Sequence, residues 1–208
     1  MGILRRPFRY RFNSAVLYII GINFLIFIVS SRRIFPQLTY ILALYPPLVR
    51  SGWLWQFTTY MFAHGSWQHI IFNMLGLFVF GYQVERHTGS REFLLYYFVT
   101  GTLAGVISFA FYCITGADVI LLGASGALFA VELACAAFFP NSVVYIWGIL
   151  PIRTPVLVLG YTALQVFFSF TGLERGVAHL THLSGFAVGW IYFVVRFGIN
   201  PWKAFWGR

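Results

Sequence analysis

The chain has 208 residues, of which 60% are hydrophobic, 21% aromatic and only 9% charged, whereas a soluble domain carries about 25% charged residues. A water-soluble fold is excluded on composition, and apolar runs able to cross a ~30 Å hydrocarbon layer recur along the whole chain. The net charge of +9 is scattered between those runs and not gathered on one polar face, which argues against a nucleic-acid surface and for membrane topology.

The first 13 residues form a basic segment with Arg5, Arg6, Arg9 and Arg11. The apolar stretch 14–30 that follows ends at Ser30-Ser31-Arg32-Arg33 without a small-x-small cleavage site, so it reads as a retained first span and not a signal peptide. Further spans are expected at 67–84, 92–113, 119–139, 153–170 and 178–198. This is an all-α, polytopic membrane domain over 14–198, with a tail at 199–208. The long connection 31–66 carries Pro46, Pro47, Trp53 and Trp55, the composition of an interfacial structure. Cys113 and Cys135 lie within apolar runs and read as small hydrophobes.

Basic residues in short loops stay preferentially in the cytoplasm. With the N-terminus inside, the inner side holds Arg5, Arg6, Arg9, Arg11, Arg86, Arg91, Arg153, Arg196, Lys203 and Arg208, against Arg32, Arg33, Arg50 and Arg175 outside. Both termini are then cytoplasmic, and the even-numbered spans begin near the outer surface.

Polar residues inside spans are costly in hydrocarbon and mark functional candidates that face the bundle interior. His69 and Asn73 open the second span, Ser125 the fourth, and His179, Thr181, His182 and Ser184 the sixth. All lie near outer ends, where three helices could bring them to one depth. A serine hydroxyl is a poor nucleophile until a base takes its proton, and histidine has the suitable pKa near ~6.5. Ser125 with His182 therefore points to acyl transfer. Gly126, Ala130 and Ala134, and likewise Gly185 and Gly189, recur every four residues, a spacing that lets two membrane helices approach closely. His69 and Asn73 share one helix face and supply donors suited to an oxyanion. Glu132, seven residues beyond Ser125, is expected to be neutral or hydrogen-bonded and to serve packing.

These residues resemble the rhomboid family of intramembrane serine proteases. The matching pieces are His64, His69 and Asn73 in the stretch from Phe62 to Asn73, then Gly123-Ala124-Ser125-Gly126, then His182-Leu183-Ser184-Gly185 leading to Gly189. Glu85-Arg86 with Gly89-Ser90, and Pro151-Ile152-Arg153, resemble further family patterns. The resemblance implies a six-helix core with a water-filled cavity open to the outer side. Ser125 would be the nucleophile and His182 the base, with His69, Asn73 and the Ser125 backbone amide at the oxyanion site and no acidic third member. It also implies transmembrane protein substrates and residence in a bilayer, expected to be a bacterial cytoplasmic membrane. Three positions depart from the family pattern: Gln56 follows Trp55 where arginine is frequent, Phe129 stands where a tyrosine often packs beneath the catalytic ring, and Thr181 precedes His182 where a smaller residue is usual.

The rival reading is a rhomboid-like protein that binds membrane clients without cutting them, which loss of the serine or histidine would mark. A transporter would place its polar residues at the midplane. A zinc protease would need His-Glu-x-x-His or another set of three ligands, and the sequence offers none among its histidines. No cofactor or metal is expected.

Overall fold

The computed structural model describes residues 5–6, 8–31, 34–146, 148–171 and 179–207. The expectations for Arg32, Arg33, Arg175, Arg208 and the 172–177 loop lie outside the described residues. The chain is mostly helical, as its composition demands: in hydrocarbon every backbone N–H and C=O must be satisfied within its own segment.

Helix α1 (Ala15–Val29) begins beside Ser14, which has a left-handed φ of 55° and offers no side-chain cap. The cap comes from across the fold. Glu85 accepts the Ala15 N–H at 2.6 Å and the Val16 N–H at 2.9 Å, and the Ser90 hydroxyl also donates to it. A fully buried carboxylate at a helix N-terminus thus neutralises orphan donors that no neighbouring residue serves.

The 31–66 connection contains three short helices, α2 (Gln37–Leu42), α3 (Pro46–Arg50) and α4 (Gln56–Thr59), before a 3₁₀ turn at Tyr60–Phe62. Gln56 is fully buried. Its amide donates to the carbonyls of Tyr40 and Ile41, and its oxygen accepts the Tyr45 N–H. Those three hydrogen bonds anchor the connection at Gln56, and the Trp53 and Trp55 rings pack 5.1 Å apart beside it.

Helices α5 (Trp67–Gly76) and α6 (Tyr82–Thr88) are joined through a π turn at Leu77–Gly81, so 67–88 runs on as one helical rod. Helix α7 (Ser90–Thr115) and the run formed by α10 (His179–Tyr192) with the π turn Phe193–Phe197 are long and apolar enough to cross a membrane. Helices α1, α8 (Ser125–Phe138) and the apolar part of α9 (Thr154–Thr171) are shorter.

Two expectations are corrected. The fourth span does not start at 119, because Leu121 pairs with Leu44 through reciprocal backbone hydrogen bonds of 2.8 and 2.9 Å, and helix α8 starts only at Ser125. Apolar residues 119–124 thus follow the tertiary strap and not their hydropathy. The fold is not purely helical, since β1 (Val143–Ile146) and β2 (Leu150–Arg153) form an antiparallel hairpin, Val143 opposite Arg153. The tail 199–208 includes helix α11 (Pro201–Phe205), capped by the Asn200 side chain and packed against α8.

Helix α8 has 14 residues, about 21 Å at 1.5 Å per residue, and so covers only part of a ~30 Å hydrocarbon layer as helix, the segment before Ser125 running non-helically. It lies at the centre, packed on α7, α9 and α10, and nearly every residue from Gly126 to Ala137 is buried. At the far end the basic N-terminal segment meets the ends of other helices. The Arg5 guanidinium donates to the carbonyls of Val194 and Val195, and the Tyr10 hydroxyl to that of Arg86. Glu92 pairs there with Arg196 at 2.7 Å.

Candidate active site

Three helices meet around Ser125. Ser125 is the first residue of α8, which has no side-chain cap, so the opening N–H groups of the helix are spent on no helical partner. Gly123 makes this start possible. Its φ of +111° turns the chain from the Leu121 strap into the helix, and a Cβ there would lie 2.6 Å from His69 Nε2. The glycine therefore both permits the turn and lets the His69 ring lie against the backbone just before Ser125.

His182 projects from α10, and its Nε2 lies 2.7 Å from Ser125 Oγ. The imidazole is clamped by Phe129 from α8, whose ring lies parallel to it at 4.6 Å and 11°. Phe129 is stacked in turn on Tyr161 of α9 at 5.0 Å. The parallel contact is made by the ring face and needs no hydroxyl, so phenylalanine serves it.

The helices come this close because side chains are missing between them. A Cβ on Gly185 would overlap the backbone carbonyl of Gly126, and one on Gly189 would sit 3.0 Å from the Ala130 Cβ. The stripe Gly126, Ala130 of α8 thus faces Gly185 and Gly189 of α10. Thr181 fits beside Gly126 by turning its hydroxyl outward to Ser108 of α7, 2.7 Å away. Tyr60 closes the floor, its hydroxyl donating to the Gly101 carbonyl at 2.7 Å.

His69 and Asn73 stand on α5, the former capped through its N–H by the Ser66 side chain. Asn73 is buried and donates from Nδ2 to the His69 carbonyl at 2.8 Å, which uses one of its two amide hydrogens. His64 is buried and meets the His69 ring edge to face at 5.1 Å. The structure brings Ser125, His182, Gly123 and His69 together; Asn73 lies one helical turn farther along. Glu132 is half-buried on α8, about two turns beyond Ser125.

Sequence reasoning passed over one residue. Gln165 of α9 is buried, and its side-chain oxygen accepts hydrogen bonds from Nδ1 of His182 at 2.9 Å and Nδ1 of His179 at 2.7 Å. The signal was present: a carboxamide in the otherwise apolar Ala163–Phe168 stretch is the same costly intramembrane polar group that singled out His69 and Ser125.

The family model of the Rhomboid domain matches residues 51–199. The chain is 31% identical over 148 residues to Rhomboid-like protein 11, chloroplastic, of Arabidopsis thaliana, covering 65% of this chain and 50% of that protein. It is 27% identical over 153 residues to Rhomboid protease AarA of Providencia stuartii, covering 67% and 54% respectively. It is 29% identical over 139 residues to Rhomboid protease GlpG of Haemophilus influenzae, covering 67% and 68%. The matched part spans about half the length of the first two relatives. Rhomboid proteins are integral membrane proteins, in keeping with the apolar helices described above. With a family model covering most of its length, this chain belongs to the rhomboid family.

Proposed function

We propose that this protein is an intramembrane serine endopeptidase that cleaves transmembrane proteins near the outer side of the bilayer. The observation that carries the reading is the 2.7 Å approach of His182 Nε2 to Ser125 Oγ under the Phe129 ring. A serine and a histidine at that distance, the ring held by stacking, are a nucleophile and its base. Relatives named as rhomboid proteases support it.

Ser125 Oγ attacks the scissile carbonyl while His182 Nε2 takes its proton, giving a tetrahedral oxyanion. The Ser125 N–H, the second Asn73 amide hydrogen and His69 stabilise that charge, aided by the positive end of α8. His182 returns the proton to the leaving amine, and the acyl-enzyme is hydrolysed by a water that His182 deprotonates. No cofactor takes part.

The membrane domain is read as a six-helix bundle over 14–198, crossing at α1, 67–88, α7, α8, α9 and α10, with residues 1–13 and 199–208 in the cytoplasm. Ten of the fourteen basic residues then lie inside. The site at the heads of 67–88, α8 and α10 opens toward the outer side, and a bacterial cytoplasmic membrane suits that polarity.

The test is cleavage of a transmembrane reporter by purified protein in detergent. Ser125→Ala is expected to abolish it at unchanged thermal stability, because it deletes only the attacking oxygen at a packed helix start. Undiminished turnover by that variant would reject the nucleophile, and no cleavage by the folded wild-type protein with any of several reporters would favour a client-binding role.

A further inference from the structure

We propose that Gln165 is a positioning residue for proton transfer, its amide oxygen holding His182 in the tautomer that leaves Nε2 bare toward Ser125. The proposal rests on Ser125 and His182 acting as nucleophile and base.

The geometry carries it in three steps. Gln165 Oε1 lies 2.9 Å from His182 Nδ1 and 2.7 Å from His179 Nδ1. A carboxamide oxygen carries two lone pairs and no hydrogen, so each of these ring nitrogens must be an N–H that donates. A neutral imidazole has a single N–H, so His182 Nε2 holds a lone pair, and that lone pair faces Ser125 Oγ at 2.7 Å. The opposite tautomer would direct an N–H at the hydroxyl and leave it without a base.

The three contacts come from three helices: Ser125 and Phe129 on α8, Gln165 on α9 and His182 on α10. Phe129 fixes the plane of the imidazole, but a stacked ring can still turn within its plane or exchange tautomers. The bond to Gln165 removes that freedom. Among the described residues no carboxylate is bonded to His182, so the part that an acidic residue plays in a triad falls here to a neutral amide. An amide suits the location, because it orients the ring without placing a permanent charge in hydrocarbon. It also keeps its bond after His182 takes the serine proton, since Nδ1–H is a donor in both protonation states.

The test compares wild type, Gln165→Leu and Gln165→Glu for kcat and KM on a transmembrane reporter, for the rate of fluorophosphonate labelling of Ser125, and for thermal stability. Leucine fills the space without an acceptor, while glutamate keeps an acceptor oxygen at the same reach whether or not it is ionised. We expect Gln165→Leu to lower kcat and labelling together by roughly 10²-fold with KM unchanged, and Gln165→Glu to restore most of the loss. Labelling needs no substrate docking, so a merely structural role would not move it at unchanged stability. A Gln165→Leu protein within threefold of wild type in both rates would overturn the proposal. So would a defect confined to KM or proportional to lost stability, or a Gln165→Glu protein that is folded and as slow as Gln165→Leu. Ser125→Ala and His182→Ala run alongside: if either cleaves normally, it is the nucleophile and base assignment that falls.

Discussion

Replacing Gly185 by alanine tests the close approach on which the site depends. The added Cβ would overlap the carbonyl oxygen of Gly126, which belongs to the backbone and cannot rotate away. Helix α10 must therefore move off α8 by on the order of 1 Å to reach ordinary contact, with a packing cost of about 1–3 kcal/mol. His182 lies three residues before Gly185, within one turn, and moves with it. The 2.7 Å separation of Nε2 from Ser125 Oγ then opens to about 3.7 Å, beyond hydrogen-bond range. Misplacement by that amount costs roughly 10²-fold in rate. Initial rates of reporter cleavage, with fluorophosphonate labelling and thermal unfolding in the same detergent, measure both parts. Gly160→Ala on α9 is the control, since a Cβ there meets nothing within 4 Å and activity should be unchanged. Gly185→Ala within threefold of wild-type rate would refute the reasoning, because it would mean that helix spacing does not set the reach of His182.

Four further outcomes are expected. His182→Ala should prevent a fluorophosphonate probe from labelling Ser125, whereas His179→Ala, which removes the second donor on Gln165, should still label, more slowly; the reverse pattern in folded variants would move the base to His179. Glu132→Gln should leave kcat within about twofold of wild type, since the carboxyl stands about two turns from the nucleophile, and lost activity at equal stability would contradict this. Glu85→Ala should destabilise the protein by about 3 kcal/mol, as it strands two N–H groups at the head of α1 and the Ser90 hydroxyl; a thermal or denaturant transition unchanged from wild type would discard that account. A reporter fused after residue 208 should remain cytoplasmic while a tag in the 172–177 loop is reached from outside, and access to both from one side would overturn the six-span arrangement.

The membrane character, the helical class and the cluster of candidate residues were legible in the sequence because each depends on a local quantity. Hydropathy over a window reports the transfer of a segment into hydrocarbon, whatever surrounds it. A polar residue inside such a segment is conspicuous by its own cost, which is why Ser125, His69, Asn73 and His182 stand out. The four-residue recurrence of Gly126 and Ala130, and of Gly185 and Gly189, is likewise a property of a single helix. What those features could not convey is which groups meet. Leu121 is as apolar as any residue of the fourth span, yet Leu44, 77 positions earlier, takes its backbone hydrogen bonds and delays the helix to Ser125. The 143–153 hairpin falls in the break between two expected spans, and hydropathy does not tell a paired strand from a loop there. Glu85 caps a helix 70 residues before it, and Gln165 reaches His182 only because α9 and α10 lie side by side. Such bonds are decided by the packing of helices distant in sequence, where the desolvation cost of each polar group is met by whichever partner the tertiary structure brings within reach.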